Sequence, residues 1–259
     1  MIIFTFMLLL TVPGQELPPS VVTLVSLGVA ELNAAYDQWD ITRFKASQQF
    51  FEKAIAQAPN HYLPYYWKGV THFFMTVYYR YAWSKDQDKK QARYHIEAAL
   101  EVLKLAVDRR DDDVESYALL ATMTGMKIDI KPLTALWSGP QVMKYKDKAQ
   151  AIDRDNPRAN YLLGVSYYYG PNFMGGKDKS LQHLLRAERL FEKEVSQPKP
   201  EPAIYPRWGQ STCLVFIARL YSNQGDRKQA LVYYRKALAA NPADLLAKKE
   251  LAQMEGSNK

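Results

Sequence analysis

Near its carboxy terminus the sequence carries a pattern that few folds can accommodate. Leu214, Ile217, Ala218 and Tyr221 recur at helical intervals, Gly225 follows, and then come Ala230, Tyr234, Ala237 and finally Pro242. Spacings of three and four put each set on one face of a helix. Glycine marks the end of the first helix, and proline lies beyond the end of the second. A small residue at the middle of each face lets two helices cross closely, because a larger side chain there would overpack at a cost of about 1–3 kcal/mol. The pattern predicts an antiparallel helix pair that cannot bury its own apolar face.

The same slots are filled upstream. A unit ending at Pro59 has Ala34 and Ala35 on its first helix and Ser47, Phe51 and Ala54 on its second. The next has Tyr65, Lys68, Gly69 and His72, then Ala99, Leu103 and Ala106. A third runs Tyr117, Leu120, Ala121 and Thr124, closing with Ala149, Asn156 and Pro157. A fourth has Asn160, Leu163, Gly164 and Tyr167, then Ser180, Leu184 and Ala187. The pattern resembles the tetratricopeptide repeat, a helix-turn-helix of about 34 residues. In the last unit Leu214 stands for the usual Trp and Ala218 for the usual Gly.

The resemblance covers about residues 20–255. It implies an all-α fold, an α-solenoid of antiparallel helix pairs forming a right-handed superhelix, here with long insertions. First helices are expected near Gly28, Tyr62, Val114, Pro157 and Ser211, separated by 34, 52, 43 and 54 residues. The excess over one repeat falls in Met75–Lys90, Lys127–Gly139, Gly170–Gly176 and Ser196–Pro206. The expected organisation is a signal peptide over 1–14 and one solenoid domain over 15–259. Its units lie near 28–61, 62–113, 114–156, 157–206 and 211–242. Residues 243–254, apolar at Leu245, Leu246, Leu251 and Met254 with a Lys/Glu-rich opposite face, read as the capping helix that such arrays need.

Composition narrows the function. The chain has 259 residues, 47% of them hydrophobic, with 24% charged residues of both signs interleaved, which argues against disorder and against a polytopic membrane protein. The net charge of +7 is spread among acidic residues, as in Lys85–Lys90 and Arg109–Asp113. No run of five pure Lys/Arg exists, so a nucleic-acid partner is not expected. The single cysteine, Cys213, cannot form an internal disulfide, and no Cys/His cluster suggests a metal. Residues 2–12 form an apolar run of eleven, too short to span a bilayer. With Pro13, Gly14 and Gln15 after it, the run fits a secretory signal cut near Gln15 and hence an exported, periplasmic or secreted protein with no membrane span after removal. A buried amino-terminal helix of a cytoplasmic protein is the alternative.

No catalytic constellation is apparent. His61, His72, His95 and His183 are scattered, with no HExxH motif. The loop Gly170–Lys177 is not a P-loop, because its Lys is displaced and Asp178 stands where a hydroxyl is required. The run Asp111–Asp113 lacks calcium-loop spacing and reads as the cap of the following helix. Cys213, among Leu214, Val215 and Phe216, reads as a small buried hydrophobe. No catalytic residue, metal or cofactor is expected.

Aromatic residues, 13% of the chain, gather on first helices. Tyr66, Val70, Phe73 and Val77 form one stripe, Tyr161, Val165 and Tyr168 a second, and Arg219 with Asn223 a third. In tetratricopeptide proteins these faces line the concave groove, so Tyr66, Phe73, Tyr161, Tyr168, Arg219 and Asn223 are the partner-binding residues that the resemblance implies. Packing against the inserted segments accounts for the same aromatics equally well. The carboxylate clamp of some family members is absent, since its slots hold Tyr66 with Val70, Ala118 with Thr122 and Tyr161 with Val165. The expected function is a non-enzymatic exported scaffold that binds a protein or peptide in its concave groove; the alternative is a periplasmic small-ligand-binding protein that resembles the tetratricopeptide subunits associated with tripartite transporters.

Overall fold

Most helices begin just after an aspartate or asparagine whose carboxylate or amide oxygen accepts hydrogen bonds from the first exposed backbone amides. Asp40, Asp88, Asp113, Asn156 and Asp226 cap successive helices in this way, and Asp244 accepts from the amides of Leu246 and Ala247. Asp113 of the acidic run is thus a helix cap. The computed structural model describes residues 16–82, 88–169, 176–198 and 203–256. The expected signal peptide and most of the Gly170–Lys177 loop lie outside the described residues.

Five helix pairs and a terminal helix follow in order. They are α1 Pro19–Gln38 with α2 Ile41–Gln57, α3 Tyr62–Val77 with α4 Lys89–Arg109, and α5 Val114–Ile130 with α6 Ala135–Ile152. Next come α7 Pro157–Tyr168 with α8 Gly176–Val195, α9 Gln210–Asn223 with α10 Arg227–Ala240, and α11 Leu245–Gly256. A π-helical turn, Tyr78–Ala82, extends α3, and a 3₁₀ turn, Pro132–Thr134, leads into α6. Among the described residues there is no strand.

Small residues sit where the helices of a pair cross. A methyl group on Gly69 would meet Leu103 Cδ2 at 2.5 Å, and one on Gly164 would meet Leu184 Cγ at 2.6 Å. Ala121, Ala218 and Ala230 are fully buried in the corresponding slots. The first unit differs from its sequence reading. Its first helix starts at Pro19, nine residues ahead of Gly28, and Gly28 is itself a crossing glycine against Phe51 at 2.5 Å. Val21, Val25, Gly28, Leu32 and Ala35 form its buried stripe. Val21 and Val25 lie ahead of the slots that the repeat pattern fills in this unit, so the pattern alone placed the helix start too late.

The two ends of the array meet. Tyr36 of α1 donates its hydroxyl hydrogen to Asp244 at 2.6 Å and lies 2.7 Å from Thr212 Oγ1 of α9. Asn241 donates to Asp37 at 2.7 Å. Asp244 is fully buried and also accepts from Ser211 at 2.6 Å. The solenoid therefore curls until its first helix touches its last repeat.

Gly69→Ala is expected to destabilise the protein by about 1–3 kcal/mol through overpacking against Leu103. Gly125→Ala, whose added methyl would find only Ser166 Oγ at 3.5 Å, should be neutral or stabilising. Urea unfolding of the two variants side by side tests the register of the helix pairs.

Candidate functional site

Five of the six residues expected to line the concave groove do turn toward one centre, but that centre is occupied. The segment Ala203–Gly209, between α8 and α9, enters the concavity. Trp67 Nε1 donates to the Ile204 carbonyl at 2.7 Å, and Trp208 Nε1 donates to the Tyr66 hydroxyl at 2.8 Å. The Trp208 ring lies 5.5 Å from Phe74, 6.2 Å from Phe73 and 6.0 Å from Tyr161, an aromatic contact on three sides. Gly209 turns the chain into α9 with φ 99°, a conformation that favours glycine. A methyl there would also come within 3.3 Å of the Tyr161 ring.

Tyr66 and Phe73 are 1% exposed and Tyr161 is 0% exposed, so these three are core residues and present no open groove face. This corrects their reading as an accessible surface, and the physical reason is the inserted Trp208. Tyr168 is half-buried with its ring against Phe216 at 5.1 Å. Arg219 lies 5.0 Å from the centre of the Phe216 ring and is paired with Glu250 of α11 at 2.9 Å. The capping helix thus neutralises the cation of the last repeat. Asn223 is exposed at the end of α9.

Behind Tyr66 lies a buried ionic chain. The Tyr66 hydroxyl donates to the Glu115 carboxylate, which accepts from Arg158 Nε at 2.5 Å and from the Asn156 amide at 3.1 Å. Arg158 is bidentate to Glu194 at 2.9 and 2.6 Å. Burial raises the Tyr66 phenol well above its usual range, with the Glu115 charge adding to it. Asp113 is pushed up to about 6, by burial first and the neighbouring Glu115 second. Sequence reading missed Trp208, Glu115 and Arg158. Only the Trp208–Gly209 pair carried a local signal, a large aromatic beside a residue free to adopt positive φ.

Open space remains beside the filled groove. A cleft of about 770 Å³ runs between α1, the end of α8, the 203–211 segment and the end of α10. Its wall is mixed: Leu32, Phe74 and Trp208 are apolar, while Asn33, Asp37, Gln197, Arg207 and Gln210 are polar. Cys213 is buried, and burial raises its thiol well above the ordinary range, the behaviour of an inert core residue. Among the described residues no group of three or more His, Cys, Asp or Glu side chains is placed to hold a metal ion. None of the described helices is long and apolar enough to cross a membrane.

The histidines hold one further feature. His72 of α3 and His95 of α4 face each other with Nδ1 atoms 3.0 Å apart, and the Gln48 amide lies 3.0 Å from His72 Nδ1. One ring must donate and the other accept, so the accepting ring is neutral and the two cannot both be charged. Burial, with His95 and Lys68 beside it, pushes His72 down to about 3. Burial, with Lys45, pushes His95 down to about 4.

Residues 212–254 match the tetratricopeptide repeat family. The fold is similar to that of a thermophilic tetratricopeptide repeat protein of Thermus thermophilus, with a TM-score of 0.61, 19% identity and coverage of 90% of this chain and 98% of that one. It is also similar to the HusA haemophore of Porphyromonas gingivalis, with a TM-score of 0.61, 18% identity and coverage of 82% and 96% respectively. No curated protein matches the chain. The described chain is a helical-repeat solenoid whose fold is similar to that of tetratricopeptide repeat proteins, and its last unit matches the tetratricopeptide repeat itself.

Stability measurements test these assignments. Trp208→Ala should lower stability by about 3–5 kcal/mol in urea unfolding, as for other buried aromatics. Asn223→Ala, at an exposed position, should leave it within about 0.5 kcal/mol. The contribution of the His72–His95 pair to stability should be constant above pH 6.5, the ordinary histidine value, and should be lost as pH drops toward their depressed values. In that window the unfolded chain binds protons that the buried pair refuses. His95→Gln should flatten this acid limb relative to the wild type, measured by chemical unfolding across pH.

Proposed function

We propose that this chain is a non-enzymatic, exported tetratricopeptide scaffold that holds a segment of a protein or peptide partner. With the concave centre filled by Trp208, the contact surface is the cleft beside it, between α1 and the 203–211 segment. The observation that carries this reading is the composition of that cleft. Apolar patches at Leu32 and Trp208 alternate with side-chain amides and charges at Asn33, Asp37, Gln197 and Arg207. Such a wall offers an extended peptide both burial and hydrogen bonds. Tyr205, 47% exposed at the rim, has the broad face and polar tip favoured at contact sites. Export rests on the apolar run Ile2–Val12, and mature protein beginning near Gln15 is its expected consequence.

A small ligand is the alternative occupant. The cleft volume lies within the range of about 300–1,000 Å³ common for small-molecule sites. A solenoid of similar fold serves as a haemophore, the HusA protein.

Affinity capture from a native envelope fraction, with the wild type and an Asn33→Arg/Tyr205→Ala variant, tests the scaffold reading. A protein retained by the wild type and lost from the variant supports it, and identical capture by both overturns the cleft assignment. Absorption spectroscopy with added hemin addresses the alternative, for which a saturable shift of the main band is the expected sign.

A further inference from the structure

Helix α6 inverts the usual pattern of a packed helix. The face that it turns inward holds Ser138, Val142, Lys146 and Ala149. The opposite face of its first half holds Leu136, Trp137, Pro140 and Met143, which helical spacing gathers into one outer stripe. Leu133, in the 3₁₀ turn that leads into α6, extends the apolar surface, whereas Thr134 beside it is buried. Leu133 is 80% exposed, Leu136 81% and Trp137 63%, and Met143 is 43% exposed two turns beyond Leu136.

Neither helix formation nor core packing calls for these side chains on the outside. Other exposed apolar residues, such as Leu27, Val195 and Val232, stand singly, which is ordinary for a protein surface. Here three large ones stand within five residues, and such clusters mark contact surfaces. The cluster falls in Lys127–Gly139, a segment in excess of one standard repeat, where a scaffold is free to carry function.

The charges around the ridge have one sign. Lys131 precedes Leu133, Lys144 follows Met143, and both are exposed. No carboxylate occurs between Ile130 and Lys146. Of the flanking acids, Asp129 is paired with Arg80 at 3.1 Å, and Asp147 stands one turn beyond Met143. Because the helices alternate in direction, α4 starts at the same end of the array as α6. It starts with exposed Lys89, Lys90, Arg93 and Tyr94. The Lys127–Glu97 ion pair, at 2.8 Å, ties that part of α4 to the end of α5, on which α6 packs.

We propose that this face docks the array on an anionic lipid surface, with Leu133, Leu136 and Trp137 entering the headgroup boundary and Lys131 and Lys144 meeting lipid phosphates. Side chains this exposed form a projecting ridge, the shape that a soft, flat lipid boundary accepts. Lys144 decides against a protein partner. It lies within the apolar stripe, one turn from Pro140 and two from Trp137, and the cores of protein interfaces exclude lysine. At a lipid boundary its stem stays among apolar chains while the ammonium reaches a phosphate. The contact is peripheral, since none of the described helices is long and apolar enough to cross a membrane. It lies apart from the cleft beside α1 and is independent of the peptide reading.

Flotation of the full chain with vesicles tests the proposal, using phosphatidylcholine alone and phosphatidylcholine mixed with phosphatidylglycerol. Brominated acyl chains, which quench nearby tryptophan fluorescence, show whether Trp137 enters. The wild type should float with the phosphatidylglycerol vesicles, more weakly with phosphatidylcholine alone, and release as sodium chloride rises. Leu136→Ser/Trp137→Ser should weaken flotation about tenfold at an unchanged melting temperature, because both positions are exposed. Lys131→Gln/Lys144→Gln should weaken flotation on the anionic vesicles about fivefold for each lysine removed, and it decides the matter if the first variant does not fold. Trp137→Phe should still float and lose most of the bromolipid quenching. No flotation with phosphatidylglycerol vesicles overturns the proposal. So does unchanged flotation of both double variants with unchanged quenching in Trp137→Phe, which would assign the contact elsewhere, the apolar run Ile2–Val12 included. Self-association in sedimentation velocity that Leu136→Ser/Trp137→Ser abolishes, without flotation, would assign the face to a second copy of the chain and overturn the lipid reading.

Discussion

The structure turns on one side chain that belongs to no repeat. Trp208 closes the concave side of the solenoid, and its contacts join elements that are far apart in sequence. It reaches α3 through Phe73 and Phe74, α7 through Tyr161, and the ionic chain through the Tyr66 hydroxyl. An open tetratricopeptide array stabilises itself only between neighbouring repeats. Here the inserted segment adds a second set of contacts across the concavity. The latch of Tyr36 onto Asp244 and Thr212 completes the ring. With the inner surface spent on folding, any partner must be met at the edges, between α1 and the inserted segment or on the outer face.

Polar groups follow the same economy. Removing a charge from water is costly unless an opposite charge and further hydrogen bonds replace its hydration. Glu115 meets this condition with the Tyr66 hydroxyl of α3, the Asn156 amide at the cap of α7 and Arg158 of α7. Arg219 meets it through Glu250, which also accepts from the Tyr234 hydroxyl at 3.0 Å, so the capping helix contributes countercharge as well as apolar cover. The His72–His95 pair solves the problem differently, by remaining neutral. Lys146 of α6 is buried against the face of the Tyr167 ring instead.

The sequence by itself determined the repeating part of this architecture. Gly69, Ala121, Gly164 and Ala218 announce helix crossings because close packing is a local steric requirement that recurs every unit. Asp113 and Asn156 announce helix starts because capping is satisfied within three residues. The tertiary structure alone decided how the array closes. Whether Tyr66, Phe73 and Tyr161 line an open groove or a filled one depends on where residues 203–209 travel, and that path follows from the summed curvature of five pairs rather than from any periodic signal. The position of Lys146 over the Tyr167 ring, with Lys179 and His183 beside the same ring, is equally hidden, because two helices from adjacent units bring those groups to one ring only after stacking. Local sterics and capping are written in neighbouring residues, whereas countercharge and closure are settled by residues that meet across the folded chain.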